Sequence, residues 1–371
     1  MSSSQLSSSW CRSSIVAHRA LIWWGVLFSL LLYSTSCPLA AQDDQTNLAI
    51  ERGIKYLVSQ QKPDGSIVDR GNASAMTSLS IMAMASVGHQ VTDKSDESEA
   101  MKDALEFILK PERQDSSGYF GANDGSRMYG HGIVTLMLTE MSGMGENEEM
   151  DKRIHDRCQK GIDLIVKSQK VRKNSSARGG WRYTPISEDS DLSVSVWQLM
   201  ALRSAKNDGM DVPSETIDDA VTYLTRSFTS PFGLDKKPME RKNGFSYEPN
   251  QRNPTFTMTS AGLLAMQVCG DYDSEIVQGA TEWLLDHPPK RDDRYLMYGL
   301  YYYSQAMHQR GGDAARVAQE QVRAFLLEGQ QKNGSWSSPA GEEQSIGEVY
   351  STSLAILSLS VNHHFLPIYQ K

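Results

Sequence analysis

The chain has 371 residues, 39% of them hydrophobic and 22% charged, the profile of a globular protein with a sizeable core. Its formal net charge of −8, with no Lys/Arg block, excludes nucleic acid as a partner, because phosphate binding needs a basic face. Four cysteines in so long a chain exclude a disulfide framework, so the fold rests on its apolar core.

The first element is a targeting segment. Arg12 and His18-Arg19 precede an apolar run from Ala20 to Tyr33, and small and polar residues follow up to Leu39-Ala40-Ala41. This order predicts a secretory signal peptide over 1–41, cut near Ala41. The run falls short of the roughly 20 residues of a membrane span, so an uncleaved anchor is the alternative and the one route to a membrane. The protein is then exported, periplasmic or secreted. Cys11 and Cys37 leave with the signal, while Cys158 and Cys269 remain and could form one disulfide.

From 42 to 371 the pattern is helical, in two alternating kinds. Charged amphipathic segments are predicted at Thr46–Gln61, Ser98–Lys110, Met150–Lys170, Ser214–Phe228, Ser274–His287 and Asp313–Gln331. In Ser214–Phe228 the apolar Ile217, Ala220, Val221 and Leu224 recur at helical spacing, which fits a helix with one wet face. Nearly uncharged segments lie between them, at Ser74–Val87, Gly130–Met144, Asp191–Ala205, Thr257–Val268, Tyr295–His308 and Val349–Asn362. Such helices need burial on most sides. The pairs stack, either in a line with open ends or in a closed ring, and periodicity alone does not separate the two.

The loops carry a second recurrence. Ser59-Gln60-Gln61-Lys62-Pro63-Asp64-Gly65-Ser66-Ile67 ends one outer helix, and Gly329-Gln330-Gln331-Lys332-Asn333-Gly334-Ser335-Trp336 ends another. Ser168-Gln169 leads, after an insertion, to Gly179-Gly180-Trp181, and degenerate copies end at Gly118-Tyr119-Phe120 and Gly244-Phe245-Ser246-Tyr247. The glutamine is placed to bond backbone groups freed at the helix end, Asp-Gly or Asn-Gly makes the turn, and the aromatic residue wedges between helices.

These segments resemble the Gln-Trp repeats of squalene-hopene and oxidosqualene cyclases and the related repeats of protein prenyltransferase β subunits. The resemblance covers most of Thr46–Lys371. It implies an all-α fold, an α/α toroid of about six helical hairpins closed into a ring, with the uncharged helices inside. The end of the chain, Tyr350–Gln370, also resembles the close of exported bacterial repeat proteins of unassigned function.

Candidate chemistry gathers where inner helices begin. Glu188-Asp189-Ser190-Asp191 opens one of them. Class II terpene cyclases carry Asp-x-Asp-Asp at a matching place, with the middle acid protonating an alkene, work that needs a dry, protonated carboxyl. Here the fourth position is Leu192, so the motif is broken, and capping of a helix N-terminus is the competing reading. Arg127-Met128-Tyr129-Gly130-His131-Gly132 opens a second inner helix and would bring Tyr129 and His131 to the ring's mouth, with His131 as acid or base and two glycines allowing close approach. Tyr295, Tyr298 and Tyr302 share one helical face, and Trp181, Tyr183, Trp197 and Tyr350 are further cavity candidates for stacking or cation–π contact, with helix packing as the alternative.

The expected site is thus Asp191, Asp189 and His131 as catalytic candidates, with Tyr129, Arg127, Trp181, Tyr183, Tyr295, Tyr298, Tyr302 and Tyr350 as ligand contacts. No metal site and no cofactor is expected. A zinc site on Cys269-Gly270-Asp271 departs from the prenyltransferase order, and no phosphate-cradling loop, nucleophile elbow or His-Glu-x-x-His is present. The leading reading is an exported toroid that binds a small-molecule or lipid-like ligand in its central cavity without catalysis. The alternatives are a class II polyprenyl cyclase with Asp191 as proton donor, and an exported carbohydrate-acting α/α barrel.

Overall fold

The alternation of dry and wet segments produces twelve α-helices among the described residues: α1 (Pro38–Ser59), α2 (Ala73–Ala85), α3 (Asp96–Ile108), α4 (Arg127–Glu140), α5 (Glu148–Gln169), α6 (Leu192–Asn207), α7 (Ser214–Ser227), α8 (Phe256–Val268), α9 (Glu275–Asp286), α10 (Leu296–Arg310), α11 (Gly312–Gly329) and α12 (Glu348–Leu359). The computed structural model describes residues 38–249, 251–363 and 366–369. The signal-peptide reading therefore lies outside the described residues, except for Pro38–Ala41 at the start of α1. The chain divides into two units, Met1–Leu48 and Ala49–Lys371, and the architecture below is that of the second.

The even-numbered helices are the dry ones. In α2 every residue from Ser74 to Ala85 is buried, and in α8 every residue is. The outer α7 buries only Thr216, Ile217, Ala220, Tyr223, Leu224 and Ser227; Val221, expected in that stripe, is half-buried. The inner helices pack in sequence, α2 on α4, α4 on α6, α6 on α8, α8 on α10 and α10 on α12, and α12 packs back on α2. That last contact closes the ring and rules out an open solenoid. The fold is an all-helical α/α toroid. Ser80 Oγ on α2 lies 3.3 Å from Ser353 Oγ on α12 within the closure.

Four loops share one set of hydrogen bonds, which shows what the glutamine does. Nε2 of Gln61, Gln114, Gln169 and Gln330 donates to the carbonyl of the turn glycine in its own loop, at 3.1, 3.0, 2.8 and 2.9 Å. The same amide donates to a carbonyl of the next outer helix around the ring: Ala100, Arg157, Thr216 and, for Gln330, Ala49 of α1. Gln330 thus fastens the end of the chain's last hairpin to its first. Glycine is required at the turn: Gly334 has φ +91°, and a Cβ there would lie 2.4 Å from the Arg52 carbonyl oxygen.

The wedge residue follows. Ile67, Phe120, Trp181, Phe245 and Trp336 are all buried, and each donates its backbone N–H to a side chain of the next inner helix: Thr77, His131, Ser195, Thr259 and Thr352. The two indoles also donate, Trp181 Nε1 to Ile165 O at 2.9 Å and Trp336 Nε1 to Leu326 O at 2.7 Å.

Cys158 and Cys269 are free thiols, so the disulfide the sequence allows is not formed. Among the described residues no helix is long and apolar enough to cross a membrane. At the far end of the ring, the buried Leu366 and Ile368 tuck the C-terminal segment under α6, and Ile368 N–H donates to the Glu140 carboxylate at 3.1 Å.

Candidate functional site

The wedge loop before α6 is a short hairpin. Asp191 N–H donates to Trp181 O at 3.0 Å, and residues 182–190 loop out between them onto the face where the inner helices begin. Asp191 is fully buried and caps α6: its Oδ1 accepts Val194 N–H at 2.9 Å and Ser193 Oγ at 2.8 Å. Its Oδ2 sits 3.3 Å from Arg182 Nε, an ion pair without hydrogen-bond alignment. Burial pushes the Asp191 carboxyl up to about 6, against the opposing pull of Val194 N–H, Ser193, Arg182 and the Tyr247 hydroxyl.

Arg182 is the hub of the cluster. Its Nη1 donates to Glu248 Oε1 at 2.7 Å, and its Nε lies 3.5 Å from Asp189 Oδ2. The guanidinium stands over the rings of Tyr183, at 4.9 Å, and Tyr247, at 5.5 Å. Those two tyrosines bond hydroxyl to hydroxyl. The hydrogen bonds and carboxylates around Arg182 outweigh its partial burial and raise its affinity for its proton further. Tyr129, on α4, bonds the Ser193 hydroxyl and tilts its ring toward Tyr183 at 6.0 Å.

Behind this rim a cluster of aromatic side chains packs between the inner helices. Tyr298 of α10 donates its hydroxyl to Ser193 O of α6 at 3.1 Å, a bond between helices that are not neighbours in the ring. Tyr302 donates to Tyr298 at 3.1 Å. Trp197 of α6 stacks on Tyr301 at 5.8 Å and 11°, and lies within 6.1 Å of Tyr298 and Tyr302. The Trp197, Tyr298, Tyr301 and Tyr302 side chains are all buried.

The structure brings together Asp191, Asp189, Tyr129 and Tyr183, with Tyr298 and Tyr302 behind them. It places the other candidates elsewhere. His131 does not face the mouth: it is fully buried, its Nδ1 accepts Phe120 N–H at 3.3 Å, and its Nε2 lies 3.1 Å from Gly161 O. Burial lowers its pKa to about 4, so it stays neutral, in the place that a threonine or serine takes on other inner helices. Trp181 is a wedge, buried behind the rim. Arg127 begins α4 with φ +56° and an exposed side chain, outside the cluster. Tyr295 precedes α10 and donates to Glu342 at 2.6 Å, so it leaves the face it was expected to share with Tyr298. Tyr350 is buried and donates to Glu343 at 3.1 Å.

Sequence reasoning missed Arg182, Tyr247 and Glu248. Arg182 directly follows one wedge, and Tyr247-Glu248 closely follow another, so the residues after each wedge were the signal to read. It also missed Glu343, a buried carboxylate that accepts the N–H groups of Met297 and Tyr298 at 3.0 Å each and so caps α10 from a distant loop. No sequence signal marks it. Among the described residues no group of three or more His, Cys, Asp or Glu side chains is gathered as a metal site.

No family model and no curated protein matches the chain. Solved structures do. The chain is similar to a variant of a type II terpene cyclase from Scytonema bound to geranylgeranyl dihydroxybenzoate, with a TM-score of 0.53 and 12% identity, covering 88% of this chain and 100% of that one. It is similar to an α-1,6-mannanase of Salegentibacter sp. HEL1_6, in a form inactivated at two consecutive aspartates and bound to α-1,6-mannotriose, with a TM-score of 0.58 and 11% identity over 87% and 99% of the two chains. The unaltered mannanase gives a TM-score of 0.56 at 11% identity. At such identities the likeness is one of fold.

Proposed function

We propose that this toroid is a binding protein rather than a polyene cyclase, and that it takes a hydroxyl-rich, sugar-like ligand at the mouth of the ring, on the rim of Arg182, Asp189, Glu248, Tyr183 and Tyr247. The observation that carries the reading is that Asp191 has no open face. Its Oδ1 is taken by the α6 cap and its Oδ2 is covered by Arg182. A proton donor to an alkene needs its acid against a dry cavity, whereas Tyr129 and Tyr298 are bonded to Ser193, whose hydroxyl donates to Asp191, and Tyr298 packs on Trp197.

What stays open is polar. The Asp189 and Glu248 side chains are 60% and 36% exposed beside two tyrosine rings. Carboxylates accept from hydroxyl groups, and tyrosine rings lie flat against the apolar face of a sugar. The mannotriose-bound neighbour supports the ligand class through its fold. The same reading takes the protein to be exported, on the charged-then-apolar order of residues 12–33.

The test is binding of the mature chain to a glycan array, followed by calorimetry on the best hit. Tyr183→Ala is expected to weaken that hit by about tenfold, the loss of one aromatic contact. One observation favours the cyclase reading, the elevated pKa of the buried Asp191. Asp191→Asn keeps the cap, because asparagine caps about as well as aspartate. Cyclic products from squalene or shorter polyprenes with the wild type, lost in Asp191→Asn, would overturn the proposal.

A further inference from the structure

Two wedge bonds put α6 and α12 in the same register. Trp181 N–H donates to Ser195 Oγ at 2.9 Å, and Trp336 N–H donates to Thr352 Oγ1 at 3.0 Å. Four residues before these acceptors stand Asp191 on α6 and Glu348 on α12. Glu348 is therefore the counterpart of Asp191 at the seam where the first and last hairpins meet.

The surroundings of the two acids differ. Asp191 is sealed, whereas Glu348 is half-buried and opens onto a cavity of about 260 Å³ lined by Arg70, Ser337, Ser338, Gln344, Gly347 and Glu348. Ser337 Oγ at 3.2 Å and Gln331 Nε2 at 3.2 Å donate to Oε1, and Ser335 Oγ at 3.0 Å and Tyr56 OH at 3.1 Å donate to Oε2. Burial alone would raise the Glu348 pKa, but these donors hold it below the usual carboxylate value, so the group stays charged. Across the cavity Arg70 is exposed, donates once to Ser345 O at 3.1 Å, and has no carboxylate in ion-pair range among the described residues. Gly347 keeps the floor thin: a Cβ there would lie 2.5 Å from Asp69 Oδ1, and Asp69 Oδ2 accepts the Glu348 N–H at 2.6 Å.

The geometry points to this seam pocket as a second binding site, for one neutral, hydroxyl-rich molecule of monosaccharide size. Each hydroxyl of such a molecule both donates and accepts. Glu348, whose four acceptor positions are taken by Ser337, Gln331, Ser335 and Tyr56, sets the charge of the pocket, while Arg70 supplies donors and Ser337, Ser338 and Gln344 supply groups that donate and accept. No aliphatic or aromatic side chain lines the cavity, which excludes an isoprenoid or other apolar ligand. Its volume lies just under the roughly 300 Å³ at which drug-sized pockets begin, enough for a single small ring. One guanidinium faces one carboxylate, with Asp69 behind, so a neutral ligand fits and an anionic one meets net repulsion. The site shares no residue with the rim around Arg182 and does not rest on the function proposed for that rim.

Saturation-transfer NMR on the mature chain tests this with D-mannose, D-glucose, D-glucuronate and cyclohexanol as probes. A neutral hexose is expected to receive saturation with millimolar affinity, and cyclohexanol to receive none. Arg70→Ala and Gln344→Ala replace exposed side chains, so both should melt like the wild type while weakening the hexose by about tenfold each, the loss of one hydrogen-bonding partner. Tyr183→Ala should leave the Arg70-dependent part of this signal unchanged, which separates the seam from the rim. Any of three results overturns the proposal: no transfer to either hexose at about 50 mM, well above a millimolar dissociation constant; tighter binding of D-glucuronate than of the hexoses; or a hexose signal that survives Arg70→Ala and disappears in Tyr183→Ala.

Discussion

Trp336 carries the closure of the ring, and removing it should be felt by the whole second unit. The side chain is 1% exposed. It lies against α1 so closely that a Cβ on Gly53 would come within 2.8 Å of its Cζ3, and its indole N–H is held by Leu326 O. Trp336→Ala empties that space and leaves the Leu326 carbonyl without its donor. Truncating a buried tryptophan costs about 3–5 kcal/mol. With an unfolding entropy of about 2.1 cal/mol/K per residue, that loss lowers the melting point of a unit this size by about 4–7 °C. Urea unfolding followed by circular dichroism measures the free energy, and calorimetry the midpoint. Trp283→Ala is the control: Trp283 is half-buried on the outer α9, stacked on His287 at 3.9 Å, and should cost about 1 kcal/mol. Equal losses in the two variants, or an unchanged midpoint in Trp336→Ala, would refute the wedge as the ring's fastening.

Gly334→Ala forces a Cβ to within 2.4 Å of the Arg52 carbonyl at φ +91°, and should cost more than about 2 kcal/mol; Gly209→Ala, at φ +80° with nothing within 4 Å, should cost only the strain of about 1 kcal/mol, and urea midpoints compare the two. Glu140 is buried with a pKa raised to about 7 by desolvation and by Asp208, so it favours folding most when protonated. That contribution is complete below about pH 4.5 and is lost as pH rises through 7, so wild-type stability measured against Glu140→Gln should fall by about 3 kcal/mol across that window. His131 behaves in the opposite sense: its folded pKa is depressed to about 4, so its contribution holds above about 6.5 and is lost as pH falls toward 4. Its imidazole NMR signals should not titrate between pH 5 and 8, a range in which an unperturbed histidine changes charge.

The ring was legible in outline because burial is written in composition. A segment such as Met76–Ala85 with no charge has to be dry on every side, and the structure buries all of it. Closure was legible only through the resemblance to known repeats, because the contacts that fasten it, such as Gln330 to Ala49, join residues as far as 281 apart. The glycines around His131 misled for a definite reason. They do permit close approach, but what approaches is the neighbouring helix: a Cβ on Gly132 would lie 2.4 Å from Gln198 Nε2 and 2.8 Å from Trp197 Cβ on α6. Asp191 was legible as an acid at a helix start. Glu248 was not legible as its company, since it comes from a separate wedge loop that only the ring brings near, and Arg182 reaches Asp191 only because the Trp181–Asp191 hairpin folds back on itself.

Cap and acid are not competing readings of Asp191 once its surroundings are counted, since one oxygen caps the helix and the other takes no part in the cap. What the second oxygen does is set by Arg182. A buried carboxyl facing an apolar cavity stays protonated and can give its proton away. The same carboxyl facing a guanidinium has a fixed counter-charge, and that guanidinium is held in turn by Glu248 and approached by Asp189 on the solvent side. Charge is thereby carried outward, from a sealed acid to an open rim, and the polar surface ends up where a ligand can reach it. On the function proposed above, the arginine after the wedge tryptophan sets the polar contacts at the edge of the ring, with Asp189 and Glu248 as its exposed partners.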